Sequence, residues 1–162
     1  MTNGTGNGNG GDGKGSDGPT KDPQADSPRD QDAREARELA LSIANVALDV
    51  KALNVEIIDV RGKVDYSDYV VVMSGRSDRQ VAALARNIEQ KLDHDGVRCI
   101  GIEGMPQATW LLMDYGDVIV HIFHQDTRGY YDLESLWIDA ARVTVDDPDD
   151  DPARSGSDRV RD

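Results

Sequence analysis

Basic residues are scarce in this chain: 18 Lys and Arg stand against 31 Asp and Glu, a net charge of −13. Such an excess of carboxylate repels phosphate backbones, which argues against a protein that grips nucleic acid by charge. No basic stripe interleaved with aromatics occurs, so direct sequence-specific nucleic-acid binding is not expected. Cysteine is nearly absent. The single Cys99 excludes an intrachain disulfide and any cysteine-only metal site. With Val97 and Ile100 beside it, it reads as a small structural thiol on a strand. No apolar run reaches the roughly 20 residues that span a bilayer. The N-terminus lacks the apolar stretch of a signal peptide, so a cytoplasmic protein is expected. G-x-S-x-G, P-loop and G-x-G-x-x-G motifs are all missing. The glycine-rich residues 4–18 have no flanking strand and helix to make them a phosphate loop, and read as linker.

The 162 residues suffice for one ordinary domain. Residues 1–32 are expected to stay outside it as a disordered Gly/Asp-rich tail. The first 18 residues hold eight of the chain's sixteen glycines and no aliphatic residue after Met1, too little apolar surface to offset chain entropy. Residues 146–162 read as a second, acidic disordered tail. The foldable domain is then 33–145. Of the net −13 the tails carry −3 and −4, leaving −6 on the domain. A protein so charged is expected to approach basic protein surfaces.

Within the domain the spacing predicts a helix from Ala33 to about Lys51, with Leu39, Ile43, Val46 and Val50 on one face. Val55–Val60 and Tyr69–Ser74 read as strands, the second too apolar to face water on either side. Ser77 opens the next helix, with Gln80 completing a capping box. Val81, Leu84, Ala85, Ile88 and Leu92 form its buried stripe, and Gly96 ends it. Arg98–Ile102, Trp110–Met113 and Val118–Phe123 make three more strands. A last short helix, capped by Asp132, carries Leu133, Leu136 and a core Trp137. The order αββαβββα implies an α/β (α+β) fold: a mixed five-stranded sheet with flanking helices.

The densest stretch is Trp110–Trp137, WLLMDYGDVIVHIFHQDTRGYYDLESLW. It contains both tryptophans and three of the five tyrosines. Gly116 can take positive φ, so a tight hairpin closes at Asp114-Tyr115-Gly116-Asp117. Asp114, Asp117, His121 and His124 could be considered as metal ligands. However, positions 121 and 124 on one strand point to opposite faces, and two carboxylates alone make a weak site. No metal and no cofactor are expected, and His121 in VIVHIF reads as a hydrogen-bonded structural histidine. Ser74-Gly75 followed by Ser77 and Asp78 is a distant echo of a nucleotidyl-transfer turn, without the paired aspartates that would hold Mg²⁺. Trp and Tyr are common binding hot spots. Trp110, Leu111, Asp114 and Tyr115 are therefore assigned to a partner surface, with Tyr115 expected to contribute little to the core because it sits in a turn.

The same segment resembles the signature of the ribosomal silencing factor (Iojap-like) family: a Trp, a short apolar run, D-Y-G-D, an apolar strand with an embedded His, then Y-x-L-E-x-L-W. Upstream, Asp68–Gly75, Ser77–Val81 and Glu103-Gly104 also match, so the resemblance covers roughly residues 36–143. The family often has Gly-Arg before the Trp, where this chain has Ala108-Thr109. The resemblance implies a nucleotidyltransferase-like fold without catalysis. It implies a translational repressor active when nutrients are scarce. Such a protein binds large-subunit ribosomal protein number fourteen at the intersubunit face and blocks joining of the small subunit. Dimerisation is also implied. In that setting Asp114 and Asp117 would accept charge-assisted hydrogen bonds from a basic ribosomal protein, around a centre of Trp110, Leu111 and Tyr115. The alternative is a nucleotide-binding or nucleotidyl-transfer enzyme of the same fold.

Overall fold

The computed structural model describes residues 27–105 and 107–146. Both tails of the sequence reading fall largely outside that range. Elements run in the order α1 (Pro28–Asp49), β1 (Leu53–Asp59), β2 (Tyr69–Gly75), α2 (Asp78–His94), β3 (Gly101–Glu103), β4 (Trp110–Asp114), β5 (Val118–His124), α3 (Gln125–Tyr131), a 3-10 helix (Leu133–Trp137) and β6 (Arg142–Val143). One six-stranded sheet has the order β3-β4-β5-β2-β1-β6. The β2–β5 pair is parallel and the other pairs are antiparallel, so the sheet is mixed.

The expected α/β class holds, with one strand more than expected. β6 is two residues long, too short to show a period, and forms only because Ile57 and Ile58 offer it a ladder. α1 begins at Pro28, five residues before the expected start. Ser27 caps it in a reciprocal box with Asp30, and Pro28 fits the first turn, where its missing N–H has no partner to lose. The core-facing stripe of α1 also differs. Ala36, Ala40, Ile43, Ala44 and Ala47 are buried, while Leu39, Val46 and Val50 are only partly covered. Small side chains let the helix lie close to α2 and the sheet, and proximity outweighed hydrophobic size in choosing the face.

α2 follows its sequence pattern: Val81, Leu84, Ala85, Ile88 and Leu92 are all buried. Ser77 Oγ accepts from Gln80 N at 3.1 Å, but Gln80 Oε1 takes the amide of Arg76, at 2.7 Å, instead of closing the box on Ser77. Gly96 has φ +86 where the chain leaves the helix. The third strand shifts from the expected 98–102 to Gly101–Glu103.

The sheet separates two cores. One face carries Ile57, Val71, Met73, Leu111, Met113, Val120 and Ile122 against α1 and α2. The other carries Ile58, Val60, Val70, Val72 and Phe123 beneath Trp137 and Ala140 of the C-terminal segment. Trp137 is therefore core, as expected. Its helix is a 3-10 turn, and Asp132 does not cap it by its side chain. Asp132 sits at φ +45, between that turn and an unexpected α-helix, α3, capped by His124.

Candidate functional site

Strand alternation sorts the signature segment into two opposite surfaces. Along β4, Leu111 and Met113 are fully buried under the helices, while Trp110, Leu112 and Asp114 are half-buried on the outer face. Tyr115 continues the inner set and is 7% exposed, packed in the helix-side core. Two site assignments are therefore corrected. Leu111 and Tyr115 cannot be contact residues in this conformation, because their parity along β4 turns them inward. The Tyr115 hydroxyl is buried beside Cys99 without a well-formed hydrogen bond, and burial first, then the neighbouring Cys99, pushes its pKa up.

The turn itself forms as expected. Gly116 has φ +83, and its amide donates to Asp114 Oδ1 at 2.8 Å. Tyr115 N donates to the Val118 carbonyl at 3.0 Å. The Asp117 carbonyl accepts from Asp68 N at 2.8 Å and from the buried Ser67 hydroxyl at 2.8 Å, which clamps the turn onto the start of β2. The Asp117 side chain is exposed. Asp68 lies close enough that burial first, then the Asp117 charge, raises its pKa. The Arg61 guanidinium acts on Asp68 in the opposite direction.

Trp110 lies at the other end of the hairpin. Its partner across the ladder is Phe123, four residues beyond Ile119, the residue opposite Asp114. At about 3.3 Å per residue that is roughly 13 Å. The aromatics are not gathered around the acidic turn, as the sequence order had suggested. Trp110 stacks on Phe123 at 5.0 Å and meets Tyr131 at 4.6 Å. Its indole N–H donates to His121 Nδ1 at 3.1 Å. His121 is 7% exposed, and burial pulls its pKa down to about 4, so it is the neutral acceptor. This is the structural histidine that the sequence implied. His124 faces elsewhere, with Nδ1 accepting from Asp126 N at 3.2 Å to cap α3. Among the described residues, no group of three or more His, Cys, Asp or Glu converges as a metal site. No helix among them is long and apolar enough to cross a membrane.

The platform under Tyr131 is fixed by Arg128, a residue that sequence reasoning passed over. Its guanidinium donates to Glu134 Oε1 at 2.5 Å, to the Asn54 carbonyl at 2.5 Å and to Ser74 Oγ at 3.1 Å. Two strands distant in sequence, β1 and β2, and the neighbouring 3-10 turn are thereby tied to α3. Ser74 is thus engaged, and Gly75 sits so close to Val81 that a Cβ would lie 2.9 Å from it. Ser74 and Gly75 are the last two residues of β2, and both are buried there.

What remains open is the outer face of β3 and β4. Glu103 stands opposite Leu112, and Asp114 opposite Gly101. Trp110 and Leu112 line a groove with Glu103 and Gly104. Gly104 has φ +102, and a Cβ there would collide with the Trp110 carbonyl, so this groove needs glycine. Leu112, Glu103 and Tyr131 (51% exposed) belong to this surface with Trp110 and Asp114. The W-x-L-x-D alternation in WLLMD could have revealed Leu112. The place of Tyr131 could not be read locally.

Comparison with known proteins agrees with this architecture. Residues 33–162 match the family described as "Ribosomal silencing factor during starvation". The ribosomal silencing factor RsfS of Bacillus subtilis is 43% identical over 107 residues, covering 65% of this chain and 91% of that protein. Its counterpart in Zymomonas mobilis is 37% identical over 116 residues, covering 71% and 87%. The mitochondrial Iojap-related protein of Arabidopsis thaliana is 30% identical over 99 residues, covering 59% and 54%. A solved structure from Bacillus halodurans superposes with a TM-score of 0.58 at 35% identity, covering 69% of this chain and 99% of that one. Another, from Chromobacterium violaceum, has the same TM-score and identity, covering 65% and 85%. With the family match running over residues 33–162 and relatives up to 43% identical, the chain belongs to the ribosomal silencing factor family.

Proposed function

We propose that this protein is a non-catalytic translational repressor of the cytoplasm. It docks on ribosomal protein number fourteen of the large subunit, at the intersubunit face, and prevents the small subunit from joining when nutrients are scarce. Family membership carries the reading. The outer face of β3 and β4 supports it physically. Trp110 and Leu112 supply an apolar centre that α1 and α2 leave uncovered, Glu103 and Asp114 border it with carboxylates, and the exposed Asp117 lies in the turn beyond Asp114. Such a rim suits a basic ribosomal protein, where electrostatic complementarity speeds encounter and desolvated aromatic area holds the complex. Leu111 and Tyr115 act from behind, as packing that holds β4 and the turn in shape. Repression needs only occupancy of a surface that the small subunit must reach.

The test is a sucrose-gradient profile of separated subunits mixed with the purified protein and no nucleotide. The joined-ribosome peak should fall, and the protein should migrate with large subunits. An unchanged peak at saturating protein would sink the reading.

A further inference from the structure

β3 is the edge of the sheet next to the acidic turn, and among the described residues its three-residue length is its only protection of the usual kinds. Edge strands are commonly blunted by lysine, proline, a bulge or extreme shortness. At the opposite edge β6 has two residues, with the Arg142 guanidinium folded back onto the Trp137 and Ala140 carbonyls. β3 has all three residues exposed and no cation among them. Ile100 is 71% exposed and Ile102 37%, and Met105 follows at 46%. The edge is continuous with the turn. Ile100 N donates to the Asp114 carbonyl at 2.7 Å, and its Cδ1 lies 3.6 Å from where a Gly116 Cβ would be.

The two faces of the β3–β4 ribbon differ in chemistry. Ile102 pairs with Met113, so Ile102, and Ile100 two residues before it, belong to the helix side. Gly101 pairs with Asp114 and Glu103 with Leu112, so both carboxylates share the outer side. The cation nearest in sequence, Arg98, is 91% exposed and reaches Asp93 at 4.0 Å. An incoming strand would therefore meet aliphatic surface on one side and carboxylates on the other.

We infer that β3 receives an extended segment of the partner as a seventh strand, alternating aliphatic residues with Lys or Arg. Main-chain hydrogen bonds to the β3 edge supply affinity, and the alternation selects the partner and its register. Aliphatic side chains cover Ile100 and Ile102, and cations reach Glu103, Asp114 and Asp117. This inference rests on the large-subunit reading above and specifies how the docking surface works.

Amide hydrogen exchange of the full chain, free and bound to purified large ribosomal subunits, tests it. Residues 100–105 should slow by about tenfold or more on binding. Ile100→Lys with Ile102→Lys should weaken binding by about tenfold or more at an unchanged melting temperature. Glu103→Lys, an exposed substitution that carries little folding risk, should do the same. Wild-type binding with unchanged exchange at 100–105, or full binding by the lysine variants, overturns strand addition and leaves repression intact. Protection of 100–105 that rises with protein concentration, without subunits, would assign the edge to a second copy and also overturn it. Failure of the wild-type chain to bind large subunits removes both readings.

Discussion

Tyr115 has a hydroxyl without a well-formed hydrogen bond in a site that otherwise stabilises through packing. The ring fills the helix-side core, while the buried oxygen has given up water without a full replacement. Tyr115→Phe should therefore leave stability within about 1 kcal/mol of the parent or raise it. Tyr115→Ala should lower it by about 3–5 kcal/mol by opening a cavity. Chemical denaturation of the two variants separates these outcomes. Large-subunit binding by the folded fraction should be unchanged in the Phe variant. His121 makes the opposite bargain, with a satisfied acceptor in a place hostile to charge. Its folded pKa, about 4, lies below the ordinary 6.5. The unfolded chain takes up a proton as pH falls through 6.5, and the folded chain resists until about 4. Stability should thus be complete above pH 6.5 and decline through that window by about 3 kcal/mol. His121→Asn, which can still accept from Trp110, should flatten that part of the pH–stability curve. An unchanged slope would show that other groups dominate acid unfolding.

α3 is a seven-residue helix with no buried residue of its own. Helices this short are marginal alone. Arg128 supplies what packing does not, joining α3 to β1, β2 and the 3-10 turn through Asn54, Ser74 and Glu134. Arg128→Met would strand the part-buried Glu134 carboxylate and the Asn54 carbonyl. It should cost roughly 3 kcal/mol. It should also free Tyr131 from Trp110, visible as a red shift of Trp110 emission in a Trp137→Phe background. An unshifted spectrum would mean that aromatic contacts alone hold α3. α1 shows the contrary case, an element specified mostly by local signals. Ser27, Pro28 and Asp30 form its start, although the glycine-rich run before them draws the boundary too late when composition alone is weighed.

At the scale of the molecule, both cores and the outer β3–β4 face lie within residues 27–146. A chain trimmed to that range should melt cooperatively and bind large subunits as the full chain does. A chain beginning at Ala33 should melt lower, because it loses the cap and first turn of α1. If trimming to Ser27 abolishes binding, residues before it contribute contacts.

The division between local and global information follows from physics. The period of α2, the Gly116 turn, the structural role of His121 and the family were all legible, because each depends on neighbours a few residues apart or on an ordered run of motifs. Chain order alone could not reveal which side of β4 faces water, since that depends on where α1 and α2 pack. The W-x-L-x-D alternation divides the residues into two sets without saying which set is buried. The structure decided that Leu111 and Tyr115 lie inside and that Leu112 lies outside. It also decided that Tyr131 roofs Trp110, that Arg128 fastens α3, and that β3 is an edge. Those facts come from strand order and crossover. They are set by contacts between residues tens of positions apart, whose free energy exists only once the sheet is assembled.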